Sequence, residues 1–360
     1  MTTCHRPELL RALKLATGVC GEPKMPILAN VALRATGLGK LEILATDLVA
    51  SIRALVPCSI GDELAVMHDA SKLHQLVAAA TADEISIDVG ESSWSEIKSG
   101  RMKAKIAGQP LTNFPTIPSP TGAASTVETA VLKEMIDRTW FAASDDDARP
   151  NFCGVHLSSD GVRATAISTD SHRMCRLSRA LGLPAMGAII PRSESLKSFL
   201  NSAPTCQLSW TRDHLFVAIE GTTIALRLVD LAYPVDTVTS IIEMPRPNRI
   251  EMNRTDVLAS MAKAAVMIAK EVPTTAMIFR SGVAGIRVIN KDLGEVVDEI
   301  DATYDGPDIT IGFNPSYVIQ LLKSMSSDRV ILDLGSPLDP ALWRQAGADD
   351  YCGIIMPMRV

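Results

Sequence analysis

The chain repeats one pattern three times, at a period that rules out a solenoid. Residues 65–73 form a short apolar run, a break, a polar cluster suited to capping a helix, and then an amphipathic helix start. Residues 188–196 and 310–318 repeat that order, with helix positions 73, 196 and 318 in register, so the offsets are 123 and 122 residues. A second helix recurs in phase, with Leu10, Leu132 and Leu258 opening equivalent apolar stripes. Solenoid units run about 20–50 residues, whereas a period of this length is one ordinary domain. Three copies of one domain make a curved, quasi-symmetric object the expectation.

Two stretches read as linkers. Residues 113–122 are rich in Pro, Ser, Thr and Gly, and residues 242–248 hold Pro245 and Pro247. They divide the 360 residues into 1–119, 120–245 and 246–360, in step with the repeat. Each third has a helix near its start, at 7–17, 129–142 and 254–269, with apolar residues at helical spacing. Thr255-Asp256 offers the third of these a start. A second helix follows at 71–80, 193–202 and 315–325, and Pro315 suits a first helical turn. Short alternating runs such as 41–45, 84–88 and 329–333 read as strands with one buried face. The fold class is therefore α+β: three repeated domains, each with two helices packed on antiparallel sheets.

Composition narrows the function. Aromatics make up only 4% of the chain, so the cores are aliphatic and stacking platforms for single-stranded nucleic acid are disfavoured. Seven cysteines with no C-x-x-C spacing argue against a disulfide framework or a zinc site, and for a reducing, cytoplasmic setting. No N-terminal signal core and no membrane-spanning window is present, so a soluble intracellular protein is the expectation.

The net charge of −6 excludes a wholly basic nucleic-acid binder, but the charge is segregated. The six helices sum to +6, which leaves −12 on the rest of the chain. Surface helices often carry lysine, and that is the plainer reading. The sharper one turns the helices toward a polyanion, through contacts that go to phosphate and carry no base sequence.

The C-terminal run Ile354-Ile355-Met356-Pro357-Met358-Arg359-Val360 resembles the C-terminus of the bacterial sliding clamp family, the beta subunit of DNA polymerase III. Met25-Pro26-Ile27-Leu28-Ala29-Asn30, Ala45-Thr46-Asp47-Leu48, Asn113-Phe114-Pro115 and Ser168-Thr169-Asp170-Ser171-His172-Arg173 resemble further signatures of that family. Leu228-Val229-Asp230, Tyr233-Pro234 and 311–317 complete the set in the family's order. The resemblance spans essentially the whole chain. It implies a head-to-tail homodimer that closes six domains into a ring, with helices lining the lumen, sheets forming the rim and duplex DNA passing through. It also implies a processivity factor with no cofactor and no catalysis. Implied partners are duplex DNA, the DNA polymerase III alpha subunit, an ATP-dependent clamp loader, and other clamp-binding proteins such as repair polymerases, ligase and mismatch repair.

The same resemblance assigns residues. A partner-peptide pocket would comprise Phe152, Thr169, Ser171, His172, Arg173, Met174, Pro234, Val238, Thr239, Asn314 and Tyr317, with Leu338, Pro340, Ile354, Met356, Pro357, Met358, Arg359 and Val360. DNA would face Arg11, Lys14, Lys24, Arg149, Asn151, Lys197 and Lys263. The subunit seam would take Lys72, Arg101, Lys103, Ala104, Ile106, Val266, Met267, Asp298 and Glu299. Ser171 stands where the family has glycine, Val235 where it has aspartate, and Pro150-Asn151 where it has an aromatic pair. Glu22-Pro23 replaces an arginine-proline step, so direct DNA contacts are expected to be weak.

Two other readings are open to these residues. Asp170, Ser171 and His172 are the residue types of a hydrolase triad, but neighbours along a strand point to opposite faces and no nucleophile elbow occurs. Asp145-Asp146-Asp147 could suggest a metal site, although consecutive carboxylates more often mark a solvated loop. An ordinary duplex binder that does not encircle is the third alternative.

Overall fold

The computed structural model describes residues 1–20, 25–60, 64–268 and 273–360. The chain forms two compact units, one of Met1–Lys133 with Ser193–Val229 and one of Glu134–Arg192 with Asp230–Val360.

The helices are α1 (Arg6–Cys20), α2 (Ala70–Ala79), α3 (Thr129–Thr139), α4 (Glu194–Leu200), α5 (Val235–Glu243), α6 (Arg254–Met267) and α7 (Pro315–Lys323). The first strands are β1 (Thr2–His5), β2 (Asn30–Ala35), β3 (Lys40–Thr46), β4 (Ala50–Ile60), β5 (Ala65–Asp69), β6 (Glu84–Val89), β7 (Ser95–Ser99), β8 (Met102–Ile106) and β9 (Ser125–Glu128). Next come β10 (Gly154–Ser159), β11 (Arg163–Thr169), β12 (Arg173–Ala180), β13 (Met186–Pro191), β14 (Thr205–Trp210), β15 (His214–Ile219) and β16 (Thr222–Arg227). The last are β17 (Asn248–Asn253), β18 (Thr275–Arg280), β19 (Val283–Asn290), β20 (Gly294–Thr303), β21 (Ile309–Phe313), β22 (Arg329–Leu334), β23 (Ala341–Gln345) and β24 (Tyr351–Ile355).

Each unit holds one antiparallel sheet of 12 strands. The first runs β8-β7-β6-β1-β4-β16-β15-β14-β9, with β3, β2 and β5 branching from β4. The second runs β13-β10-β11-β12-β24-β23-β22-β17-β20-β19-β18-β21. The sheets join strands from different thirds of the chain: β4 pairs with β16 (Ile52 opposite Ile224), and β12 with β24 (Cys175 opposite Gly353). Pairing of this kind hides backbone groups that each third would otherwise leave at an open edge.

The repeat is written into the core. Leu73, Leu196 and Val318 are each fully buried, as are Leu9, Leu132 and Val257 on the other helix of each copy. Leu10 and Leu258, which the sequence pattern made the stripe leaders, lie one position off the buried face and are half-exposed. Helices in all three copies start on a side-chain cap. Asp69 accepts from the Lys72 N–H at 2.8 Å, Ser193 from that of Leu196 at 3.3 Å, and Asn314 from that of Ser316 at 3.0 Å. The cap of α6 is Asn253, which accepts from the N–H groups of Thr255 and Asp256, and not the Thr255-Asp256 pair itself.

One helix was not anticipated. α5 occupies part of what read as linker, with Val235, Val238, Ile241 and Ile242 at helical spacing. The Arg246 guanidinium closes its C-terminus by donating to the carbonyls of Ile241, Ile242 and Met244. With Asp236 and Glu243, α5 carries a charge of −2, so it does not belong to the basic set.

Candidate functional site

The β3–β4 and β11–β12 hairpins end in the same turn, built from Thr-Asp-x-x. In the second copy the Thr169 hydroxyl donates to the Arg173 carbonyl (2.7 Å) and accepts from the Ser171 N–H (3.1 Å). One Asp170 carboxylate oxygen accepts from the N–H groups of His172 and Arg173, both at 2.9 Å. Thr46 and Asp47 make the same four bonds to Leu48, Val49 and Ala50. Threonine and aspartate are chosen because their short side chains replace ladder partners that a tight turn removes. The third turn residue lies in the left-handed region, with φ +76° at Ser171 and +75° at Leu48. Glycine takes this conformation freely; a residue with Cβ is strained there.

The two copies differ at the fifth position, Arg173 against Ala50. The second oxygen of Asp170 accepts from Arg173 Nε at 2.9 Å, and Arg173 also donates to the Gln320 side chain at 2.6 Å. The guanidinium sits 4.4 Å from the Tyr317 ring centroid and 5.6 Å from that of Phe141. Arg173 thereby ties the hairpin tip to α7. Burial raises the Tyr317 hydroxyl pKa, the Asp170 charge adds to this, and Arg173 opposes it.

Beside this turn lies an apolar cluster. Ile167, Met174, Val238, Leu342, Cys352 and Ile354 are buried together, with Tyr233, Ile241, Ile242 and Met356 packed against them. Tyr233 stacks on His156 at 4.8 Å, and Phe152 meets Tyr233 edge-on at 6.2 Å. Desolvation lowers the His156 pKa. Met356 is fixed by its N–H, which donates to the His172 carbonyl at 2.8 Å. The result is an aliphatic and methionine floor beside a polar turn, suited to gripping an apolar anchor while the backbone around it stays hydrogen-bonded.

Of the residues assigned to the pocket, Met174, Val238, Ile354 and Met356 lie in this cluster. Phe152 reaches it through Tyr233, and Thr169, Ser171, His172 and Arg173 form its turn. Thr239 and Pro234 belong to α5 and its N-cap, where the Thr239 hydroxyl donates to the Val235 carbonyl at 2.9 Å. Asn314 caps α7 and Tyr317 lies on it, and the Pro340 carbonyl accepts from Arg246 Nε at 2.9 Å. Met358 bridges to Gly312, donating its N–H to that carbonyl at 2.8 Å. The tail from Pro357 to Val360 therefore follows the last strand but is pinned along β21, whereas Leu338 stands in solvent at 70% exposure. Ile167, Leu342, Cys352, Ile241 and Ile242 join the same cluster without having been assigned to the pocket; the helical spacing of the isoleucines in α5 was the available signal.

The basic residues distribute unevenly. Arg11 and Lys14 of α1 are exposed and face a groove shared with Ser195, Ser198 and Asn201 on or just after α4. Arg11 is held by Glu220 at 3.0 Å, Lys197 by Glu194 at 3.6 Å, and Lys263 by Asp298 at 2.8 Å. Arg149, assigned to DNA, donates to the Ser171 hydroxyl at 2.5 Å, pairs with Asp146 at 3.0 Å and lies over Phe152, beside the Thr169–Arg173 turn. Asn151 donates to the Ala232 carbonyl at 3.5 Å. Lys24 and Glu22 lie outside the described residues.

The residues assigned to the seam lie on two strand edges and on helices α2 and α6. Among the described residues β8 pairs only with β7; Lys103 and Lys105 are exposed, with Ala104 and Ile106 half-buried. Arg101 beside it and Lys72 on α2 are exposed too. Among the described residues β20 pairs with β19 along its length but with β17 only at Ala302 and Thr303. Glu299 and Asp301 are exposed there, while Asp298 is taken by Lys263 and Ser260. Val266, at the end of α6, is 75% exposed and so is not core, and Met267 beside it is half-exposed.

The hydrolase reading fails on this geometry. Asp170 spends its carboxylate on backbone N–H groups and Arg173, and Ser171 receives a bond from Arg149. In the acidic loop, Asp146 accepts from Arg149 and Asp145 pairs with Arg192; among the described residues no group of carboxylates, histidines or cysteines is arranged to hold a metal.

Repeated helix-backed domains sharing continuous antiparallel sheets are the architecture of DNA sliding clamps. The chain superposes on a crystal structure of the DNA polymerase III subunit beta from Pseudomonas aeruginosa with a TM-score of 0.94, at 25% identity and full coverage of both chains. A sliding clamp from Bacillus subtilis gives 0.93 at 20% identity, covering 100% of this chain and 99% of that one, which supports the fold. In sequence, the chain is 27% identical to the beta sliding clamp of Pseudomonas putida and 23% to that of Escherichia coli K12, each over 99% of both chains. Models of the N-terminal, central and C-terminal domains of the DNA polymerase III beta subunit match residues 1–118, 126–235 and 244–359. The chain belongs to the DNA polymerase III beta subunit family. It is a DNA sliding clamp, a non-catalytic processivity factor of replication.

Proposed function

We propose that two copies join head to tail, β8 of one protomer adding to the outer edge of β20 of its partner, and so close a ring around duplex DNA in the cytoplasm. The observation that carries this is the pair of open edges of opposite charge on one chain, Lys103 and Lys105 on β8 against Glu299 and Asp301 on β20. Val266 and Met267 supply apolar contact at the same seam. A closing head-to-tail contact makes a finite ring. The domain division is at about 119/120 and 245/246.

The cluster beneath α5 and the Thr169–Arg173 turn grips short extended segments of the polymerase III alpha subunit, the clamp loader and other clamp-binding proteins. A few buried anchors supply most of the energy in such contacts. Arg11, Lys14, Lys197 and Lys263 meet phosphate without reading sequence. Three of these cations already have carboxylate partners, so unassisted affinity for DNA is weak and salt-sensitive. Retention comes from closure, and tethering raises the local polymerase concentration. An ATP-driven partner opens the ring.

The test is topological. Loaded on nicked circular DNA, the protein stays bound in high salt and runs off after linearisation, because screening removes phosphate attraction but not encirclement. Equal retention on circles and linear fragments would overturn the ring.

A further inference from the structure

Cys4 on β1 lies directly opposite Cys58 on β4 in the antiparallel ladder. The Cys58 N–H donates to the Gly39 carbonyl at 2.9 Å, on the β3 side of its strand. Its backbone therefore points away from β1, which makes Cys4 and Cys58 a non-hydrogen-bonded pair. Such pairs bring Cα atoms to about 4.5 Å with side chains on one face, and disulfides span Cα separations of roughly 4.4–6.8 Å. Both cysteines are free, Cys4 buried and Cys58 half-buried. Directly opposite one another on adjacent strands, they present their side chains on the same face of the sheet.

The other cysteines are not arranged in this way. Cys175 lies opposite Gly353, so Cys352 is one step out of register and faces the other side of the sheet. We propose that Cys4 and Cys58 are a redox-sensitive pair that closes to a cross-strand disulfide when the chain meets a small disulfide oxidant such as glutathione disulfide.

The order of events follows from exposure and contact. Burial pushes the Cys4 thiol up to about 12, with the charge and hydrogen bond of Cys58 adding to it, so Cys4 keeps its proton. Burial also raises Cys58, but the contact from Cys4 opposes that rise. Cys58 is thus the first nucleophile. Its thiolate attacks one sulfur of glutathione disulfide, forming a mixed disulfide and expelling a glutathione thiolate that takes up the proton Cys58 lost. Cys4 then attacks the Cys58 sulfur; the strand-to-strand S–S bond forms, and the second glutathione leaves with the Cys4 proton. Two protein thiols lose two electrons and two protons, and one glutathione disulfide becomes two glutathione thiols. The bond would staple β8-β7-β6-β1 to the remainder of its sheet at β4.

The full chain is incubated with glutathione disulfide, denatured, alkylated and weighed. The expected result is a fall from seven alkylated thiols to five in the pair-oxidised species, a cross-linked peptide joining Cys4 to Cys58, and full recovery with dithiothreitol. Cys4→Ser should instead trap glutathione on Cys58, because the resolving thiol is gone. A wild-type chain that keeps Cys4 and Cys58 as free thiols, or that holds glutathione on Cys58 with no cross-link, overturns the proposal. So does a two-thiol loss that survives in Cys4→Ser.

Discussion

The Arg173 guanidinium lies 4.4 Å from the centre of the Tyr317 ring while its Nε donates to Asp170 at 2.9 Å. One side chain thus joins a hairpin tip to a helix some 140 residues further along the chain, and it does so beside the apolar cluster proposed to grip partner peptides. Arg173→Ala leaves an oxygen of the buried Asp170 without its cation, which costs about 2–3 kcal/mol by the usual penalty for an orphaned charged acceptor. Binding of a polymerase-derived peptide, read by fluorescence polarisation, should fall at least tenfold. Arg173→Lys should not restore it, since an ammonium cannot bridge carboxylate, amide and ring together. Full affinity in the alanine variant would remove Arg173 from the pocket.

Ser171→Gly relieves the left-handed turn. Chirality makes that conformation cost about 1–2 kcal/mol for a residue with Cβ, partly offset by the greater unfolded freedom of glycine. A net gain of about 0.5 kcal/mol is expected in urea titrations, and Leu48→Gly should act the same way in the matching turn. A loss in both variants would show that the strain argument is wrong.

The architecture was legible at the level of the repeat and obscure at the level of the site. Buried aliphatics recur at 73, 196 and 318, so their spacing carried through to the core. The apolar cluster draws on α5, whose last residues, Ile242 and Glu243, fall inside the 242–248 stretch that read as linker. Its capping group, Arg246, lies beyond the helix and has no local signature. The partners of Arg149 were equally hidden, because a turn placed 22 residues later supplies the Ser171 hydroxyl it donates to.

Replacing Val266 and Met267 with Ala together should yield folded monomers by light scattering at micromolar concentration, with the melting temperature of the monomer little changed. Val266 is already in water in the isolated chain, so its truncation costs the fold almost nothing. A persistent dimer would place the seam elsewhere.

Deleting residues 358–360 should abolish peptide binding while the dimer persists. Because Met358 bridges Gly312 and its sulfur accepts from the Thr274 hydroxyl, the deletion also removes an edge bond. A fall in stability of about 1 kcal/mol is the expected accompaniment. Unchanged peptide affinity would separate the tail from the pocket.

Acid should loosen the second unit through Glu134. Hydrogen bonds from Arg179, and then Arg138, hold its carboxyl below the usual range despite burial. A depressed folded pKa means the contribution is complete above the unfolded value of about 4.3 and is lost as pH falls through the lower folded value. Glu134→Gln should therefore lower stability at pH 7 and flatten its decline below about pH 4.3. An unchanged acid limb in that variant would assign the titration to another carboxylate.

The charge on β8 has a consequence for symmetry. Any exposed strand is a template for a copy of itself, and the simplest dimer would pair β8 with β8 across a two-fold axis. Lys103 and Lys105 would then meet their own counterparts at cross-strand distance, where like charges repel. The two lysines proposed to meet the acidic β20 edge thus disfavour a two-fold partner, which would close a pair with no hole for DNA to enter.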